Sequence, residues 1–345
     1  MKGTGVRAKT SQISTILMSR IACLAWLLPL MLIAEGCSGP ARQSSPDVAA
    51  ERRAIAFLVR EVPAWSRDNG CFSCHNNGDA ARALYAAKRK GFTVPAAALA
   101  DTTAWVRQPS RWEHNKGDPG FSDQRLANLQ FAASLLAAVE SRQTDDRMAL
   151  LAVARKVAAD QGKDGAWRIE SQDTLGSPAT YGTALATFSA WRILTETDAP
   201  GTKAAAAKAA AWLRHSPMDN VPAAAVVLRF ALRDSSPMST QRRADALARL
   251  RRAQTTDGGW GPYADTPAEA FDTALALLAL AELPHEAEVD AMIRRGRSFL
   301  LAQQRADGDW AATTRPSGGE SYAQRMSTTG WATLALLRTN SFCAQ

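Results

Sequence analysis

The chain has 345 residues, 46% of them hydrophobic and 21% charged, an ordinary globular balance that supplies a sizeable core and excludes extended disorder. Its formal net charge is +8. The Lys and Arg residues are interspersed with acids along helical stretches, which reads as solvated helix faces and argues against a nucleic-acid partner.

The first element is not part of the fold. Lys2, Arg7, Lys9 and Arg20 precede the apolar run Ile21 to Ala34, IACLAWLLPLMLIA. At 14 residues it is short for a membrane span and suits a signal-peptide core. Residues 1–36 are therefore expected to be removed and the protein exported, to the periplasm or cell envelope. Losing those four bases and Glu35 leaves 37 bases against 32 acids, a net +5. The run ends at Ala34-Glu35-Gly36-Cys37 and continues as SGPARQSSPD, which resembles the lipobox of bacterial lipoproteins. That resemblance implies lipidation of Cys37 and membrane anchoring, with ordinary signal cleavage or an uncleaved anchor as alternatives. Residues 37–50 read as a flexible linker and 51–345 as one folded domain.

The next feature is Asn69 to Gly78, NGCFSCHNNG. C-x-x-C-H is the spacing that carries covalent haem c: two thiols bond the porphyrin and the adjacent histidine ligates iron. Structural zinc would need two further ligands, yet the sequence has no second C-x-x-C and no H-x-x-x-H. A redox dithiol would suit a βαβ setting, and the surrounding pattern is helical. The expectation is one haem c, tethered by Cys71 and Cys74 and ligated by His75. The other cysteines, Cys23, Cys37 and Cys343, suggest no disulfide framework.

Beyond this point the chain repeats. Gln161 to Trp167 is QGKDGAW, Gln254 to Trp260 is QTTDGGW, and Gln304 to Trp310 is QRADGDW; all fit Q-x-x-D-G-x-W. Each follows an amphipathic helical stretch and precedes a more apolar one: YGTALATFSAW, FDTALALLALA or STTGWATLALL. In these, Thr183, Thr273 and Thr329 align. Asp-Gly supplies a tight turn, and the Gln and Trp can staple it to its neighbours. The periodicity predicts six helix hairpins, each with a water-facing outer helix and an enclosed inner helix. They are Arg53–Trp65 with Asp79–Lys88, Pro95–Gln108 with Arg125–Glu140, and Asp146–Gln161 with Tyr181–Thr195. Then come Thr202–Arg214 with Val221–Leu232, Thr240–Gln254 with Phe271–Leu283, and Glu286–Gln304 with Ser327–Thr339. The motif is lost from the first, second and fourth.

These repeats resemble the α/α toroid of the squalene cyclase and prenyltransferase superfamily, over roughly Arg53 to Asn340. The resemblance implies an all-α (α/α)6 ring. It does not carry activity with it: the D-x-D-D acid of triterpene cyclases is absent, as is the Asp, Cys and His zinc set of protein prenyltransferases.

In such a ring CFSCHNNG shares one mouth with the Q-x-x-D-G-x-W loops. That position makes His114, in the loop of hairpin two, the first candidate for the sixth iron ligand, with Met326 behind it and an open or water-ligated iron as the alternative. Asp173, Tyr181, Tyr263, Asp265, Glu269, Asp272, Glu320, Tyr322 and Arg325 lie on or beside the same mouth, where the commoner role is capping. The resulting expectation is an exported haem c protein passing electrons to an unidentified redox partner. The alternatives are an enzyme or binder acting on a terpenoid or polysaccharide in the ring cavity, or a haem-based sensor or scaffold.

Overall fold

Six helix hairpins follow one another along the chain of the computed structural model, which describes residues 46–115, 123–169, 175–315 and 320–343. The signal segment, Cys37 and Asp173 lie outside the described residues. In order, the helices are α1 (Pro46–Asn69), α2 (Ala81–Arg89), α3 (Ala97–Val106), α4 (Gln124–Glu140), α5 (Arg147–Ala159) and α6 (Gly182–Thr197). The second half contains α7 (Lys203–His215), α8 (Val221–Ala231), α9 (Ser239–Ala253), α10 (Ala270–Leu280), α11 (Ala287–Gln303) and α12 (Tyr322–Thr339). Odd-numbered helices are outer and even-numbered helices inner. A π-helical turn, Cys74–Ala80, runs directly into α2. None of the described helices is long and apolar enough to cross a membrane.

Local chemistry sets the boundaries. Asp123 caps α4 through Arg125 N at 2.8 Å, and Asn220 caps α8 through Ala223 N at 2.8 Å. Helix α12 begins at Tyr322, ahead of the expected Ser327, because Ser321 and Gln324 form a capping box. Helix α1 begins at Pro46, inside the expected linker: Pro suits the first helical turn and Asp47 favours the positive end of its dipole.

The inner helices pack side by side in the order α2, α4, α6, α8, α10, α12 and back to α2, which closes the ring. Every residue of α8 and all but the first of α10 are buried, as expected of helices enclosed on all sides.

The Q-x-x-D-G-x-W loops hold the hairpins together, and all three do so alike. Gln161 Nε2 donates to Gly165 O at 2.9 Å in its own turn and to Ala205 O at 2.8 Å on the next outer helix. Gln254 does the same with Gly258 O and Met292 O, at 2.7 and 2.9 Å. Each motif tryptophan is fully buried, and its indole N–H returns to the outer helix: Trp167 to Val157 O, Trp260 to Leu250 O, Trp310 to Leu300 O, at 2.7–2.8 Å. Its backbone N–H reaches an inner-helix threonine: Thr187, Thr273 or Thr329. The first of these is Thr187, one turn beyond Thr183, the residue that aligns with Thr273 and Thr329 in the sequence. Hairpin two keeps part of the staple in Gln108-Pro-Ser-Arg-Trp112: Trp112 is fully buried and donates to Trp105 O at 3.3 Å.

The last copy joins the ends of the ring. Gln304 Nε2 donates to Ala50 O at 3.0 Å, and Arg53 Nη2 donates to Gln304 Oε1 at 2.7 Å. Buried Arg297 adds bonds to Asp47 at 2.9 Å, Glu51 at 3.3 Å and Leu336 O at 2.6 Å. Gly308 has φ +98° and lies so close to α1 that a Cβ would stand 2.3 Å from Arg53 O. Gly308→Ala should therefore destabilise the fold by about 2 kcal/mol or more, combining left-handed strain with a backbone clash. Gly91→Ala, at φ +84° with nothing within 4 Å, should cost only the strain, about 1 kcal/mol. Urea denaturation of the two variants compares them.

Candidate functional site

The segment Cys71 to Asp79 is built into the ring wall. Cys71 and Cys74 are buried, and Cys71 Sγ accepts from Trp65 Nε1 at 3.3 Å. His75 Nδ1 lies 2.9 Å from Ser327 Oγ on α12, and burial lowers the imidazole pKa, favouring the neutral ring. Asn76 Nδ2 donates to Glu61 O at 3.0 Å and Tyr322 OH at 2.9 Å; Asn77 Nδ2 donates to Thr102 Oγ1 at 2.8 Å. Gly78 sits against α4, where a Cβ would come within 2.8 Å of Gln130 Cβ. Asp79 accepts from Gln130 Nε2 at 2.7 Å, Arg82 Nη1 at 3.2 Å and the Tyr181 hydroxyl. Each polar side chain from His75 to Asp79 thus finds a partner on α1, α3, α4 or α12, or at the start of α6. Buried polar groups need such partners, and this hub joins the first hairpin to its neighbours.

That arrangement does not fit a haem. Thioether bonds at Cys71 and Cys74 need both sulfurs open to one porphyrin-sized space, yet both side chains are buried. Burial, with Asp79 nearby, also raises the Cys74 thiol pKa far above its usual value. His114 is exposed and makes no bond to the segment. Its neighbour Asn115 does, accepting from Phe72 N at 3.0 Å and donating to Phe72 O at 2.7 Å. Hairpin two therefore adjoins the Cys-Phe-Ser-Cys turn as expected, but through an asparagine. Met326 is fully buried in apolar packing with α1 and α2. No group of three or more His, Cys, Asp or Glu residues among the described residues is placed to hold a metal ion.

The space available to a ligand lies elsewhere. A cavity of about 350 Å³ occupies the centre of the ring. Leu136, Leu185, Phe188, Leu278, Trp331 and Leu334 supply its apolar wall. Arg82 lies within it, its guanidinium 4.5 Å from the Trp331 ring centre. Tyr181 and Phe271 meet Trp331 edge-on at 5.8 and 5.9 Å. The rim is charged: Arg89, Glu140, Arg192, Arg229, Arg233 and Glu282. These residues stand at the C-terminal ends of the inner helices, so the cavity belongs to the mouth opposite the Q-x-x-D-G-x-W loops. Sequence reasoning missed them. One signal was present: Arg229 interrupts an otherwise apolar inner helix, VPAAAVVLRFA, and a charge there must face a partner or a cavity.

The other mouth is braced. Arg315 Nη1 and Nη2 donate to the Asp272 carboxylate at 2.7 and 2.9 Å, and Nη2 also donates to Gly176 O at 2.9 Å, tying hairpins three, five and six together. Glu320 pairs with Arg305 at 3.2 Å, Tyr322 belongs to the polar hub, and Arg325 lies 3.7 Å from Asp309. Tyr263 and Asp265 are exposed. Tyr181 differs from the rest: it is buried, and burial together with Asp79 holds its phenol pKa well above the usual value.

Among solved structures, the chain is similar to the type II terpene cyclase MstE from Scytonema without ligand, at 14% identity and TM-score 0.54, covering 86% of this chain and 99% of that one. A substituted form of MstE in complex with its substrate, geranylgeranyl dihydroxybenzoate, matches at 14% identity and TM-score 0.53, over 86% and 98%. Another in complex with its product, merosterolic acid A, matches at 15% identity and TM-score 0.54, over 86% and 98%. No protein-family model and no curated protein matches the sequence. The cyclase-like all-helical fold is thereby established. The expectation of haem c electron transfer is overturned: the structural neighbours are terpene cyclases, and the C-x-x-C-H residues serve as a packed polar hub.

Two outcomes follow. Chain expressed in a host competent in haem c maturation should show no Soret band and no covalent haem stain. Asp272 is buried, and burial, opposed by Arg315, raises its pKa from 3.8 to about 6. The folded state therefore binds this proton more tightly than the unfolded state. Its contribution to stability is present below about pH 4 and is lost as the pH rises to about 6. Relative to Asp272→Asn, the wild type should lose roughly 1 kcal/mol per pH unit across that window, read by urea denaturation at each pH.

Proposed function

We propose that the protein acts on a terpenoid, taking an isoprenoid chain into the central cavity and holding it folded there. The observation that carries this reading is the cavity wall. Leu136, Leu185, Leu278 and Leu334 with Phe188 and Trp331 form an apolar wall below a charged rim, which suits a flexible hydrocarbon that carries a polar end. Support comes from MstE, which shares the fold and whose substrate carries a geranylgeranyl chain. The same reading includes export through residues 1–36 and anchoring at Cys37.

The chemistry available to the chain's residues is mainly positional. Aliphatic side chains exclude water, while the rings of Trp331 and Phe188 hold the guanidiniums of Arg82 and Arg229 at the cavity wall. Glu140 and Glu282 stand at the rim in ion pairs with Arg89, Arg229 and Arg233. Asp79 lies behind Arg82, its carboxylate engaged by three donors.

Binding of geranylgeraniol, followed by calorimetry or by intrinsic tryptophan fluorescence, tests the proposal. Leu185→Trp, which fills the cavity, should weaken binding at least about tenfold, the loss of a well-filled apolar pocket. Met148→Trp, at a position 71% exposed, should leave binding unchanged. Absence of binding, or equal affinity in all three proteins, would sink the reading. Analysis of the same incubation for isomers of unchanged mass separates a cyclase from a carrier.

A further inference from the structure

On the reading that the cavity holds an isoprenoid, we propose that Arg192 and Arg229 form a subsite for a carboxylate, so that the ligand is a terpenoid acid rather than a neutral terpenoid or a diphosphate. Arg229 lies on inner helix α8 with its side chain only 10% exposed. Its Nε donates to Glu282 Oε1 at 3.0 Å, and its guanidinium lies over Phe188, 5.0 Å from the ring centre. No acceptor among the described residues takes its two Nη groups, although both Arg229 and Phe188 line the cavity. A guanidinium this little exposed, with free Nη donors at the mouth of the cavity, can take an acceptor from outside the chain.

The surrounding charges narrow its chemistry. Arg192 on α6 bonds Glu196 through Nε at 2.7 Å and reaches Glu140 at 3.5 Å; its Nη1 has no acceptor among the described residues. Arg233 bonds Glu282 through Nη1. Glu140 already pairs with Arg89 at 2.9 Å. Arg89, Arg192, Arg229 and Arg233 thus share Glu140, Glu196 and Glu282, four positive charges against three negative, leaving an excess of one. Lys90 and Arg338 stand across the ring, on the α2 and α12 side. One excess charge, beside guanidinium forks and between two glutamates, matches a single planar anion. A diphosphate would bring further negative charge against Glu196 and Glu282. Below the subsite, Phe188, Leu185 and Leu278 continue as apolar wall, which places the hydrocarbon inward and the carboxylate at the rim.

The test compares three probes with one chain length on the full protein at neutral pH: geranylgeranoic acid, geranylgeraniol and geranylgeranyl diphosphate. The acid should bind at least about tenfold more tightly than the alcohol, the gain of a charge-assisted hydrogen bond. Arg229→Gln and Arg192→Gln should each remove most of that preference while leaving the affinity for the alcohol unchanged. Arg192 has a side chain 24% exposed, so its variant keeps the test open if Arg229→Gln does not fold. Equal affinity for acid and alcohol overturns the subsite and leaves the cavity reading standing. Tighter binding of the diphosphate than of the acid overturns the single-charge assignment. Failure of all three probes to bind overturns the cavity reading itself and the subsite with it.

Discussion

A glutamine side-chain amide that donates both to its own turn and to the next outer helix is the contact on which this ring depends. Gln161, Gln254 and Gln304 each make it, and in each case a glycine at positive φ lets the turn lie on the neighbouring backbone. A buried tryptophan then binds the turn to its own outer helix and caps the junction with a large apolar surface. Because the third copy reaches α1, the last staple is also the closure of the ring. No terminal repeat is left with an apolar face toward water, the difficulty that open helical arrays solve with capping repeats.

The first hairpin meets the same need differently. It has no Q-x-x-D-G-x-W copy, and its loop is instead secured by hydrogen bonds from His75, Asn76, Asn77 and Asp79. The string Cys-Phe-Ser-Cys-His has the order that haem attachment requires, but order is only half of that requirement. The sulfurs must also face one open space, and the packing of α4 and α12 against the π-helical turn buries them. Gly78 and Gly330 mark how closely the backbones approach there: a Cβ on either would fall within 3 Å of its neighbour.

Closing the ring around inner helices leaves a central volume that their side chains do not fill. At the loop mouth that volume is occupied by the polar hub, the Tyr181–Trp331 contact and the Arg315 brace. Toward the other mouth it stays open, walled by leucines and aromatics and rimmed by arginines. An arginine on an enclosed helix carries a desolvation penalty unless it is paired. Arg229 is paired at Nε alone.

The amino-acid sequence by itself determined the six hairpins, because amphipathic outer helices, apolar inner helices and Asp-Gly turns are local properties of period and composition. It also determined the staples, since a repeated Gln, Gly and Trp at fixed spacing specifies the same local bonds each time. The partial staple at Trp112 shows where a broken motif blurred that reading. Only the tertiary structure decided that Cys71 and Cys74 are buried and that His75 meets Ser327, because those contacts depend on α4 and α12, which arrive from distant parts of the chain. It alone decided that the cavity walled by Phe188 and Trp331 opens away from the Q-x-x-D-G-x-W loops. Arg82, Phe188, Arg192, Arg229 and Trp331 come from four separate hairpins, and no sequence spacing relates residues that meet only when a ring closes.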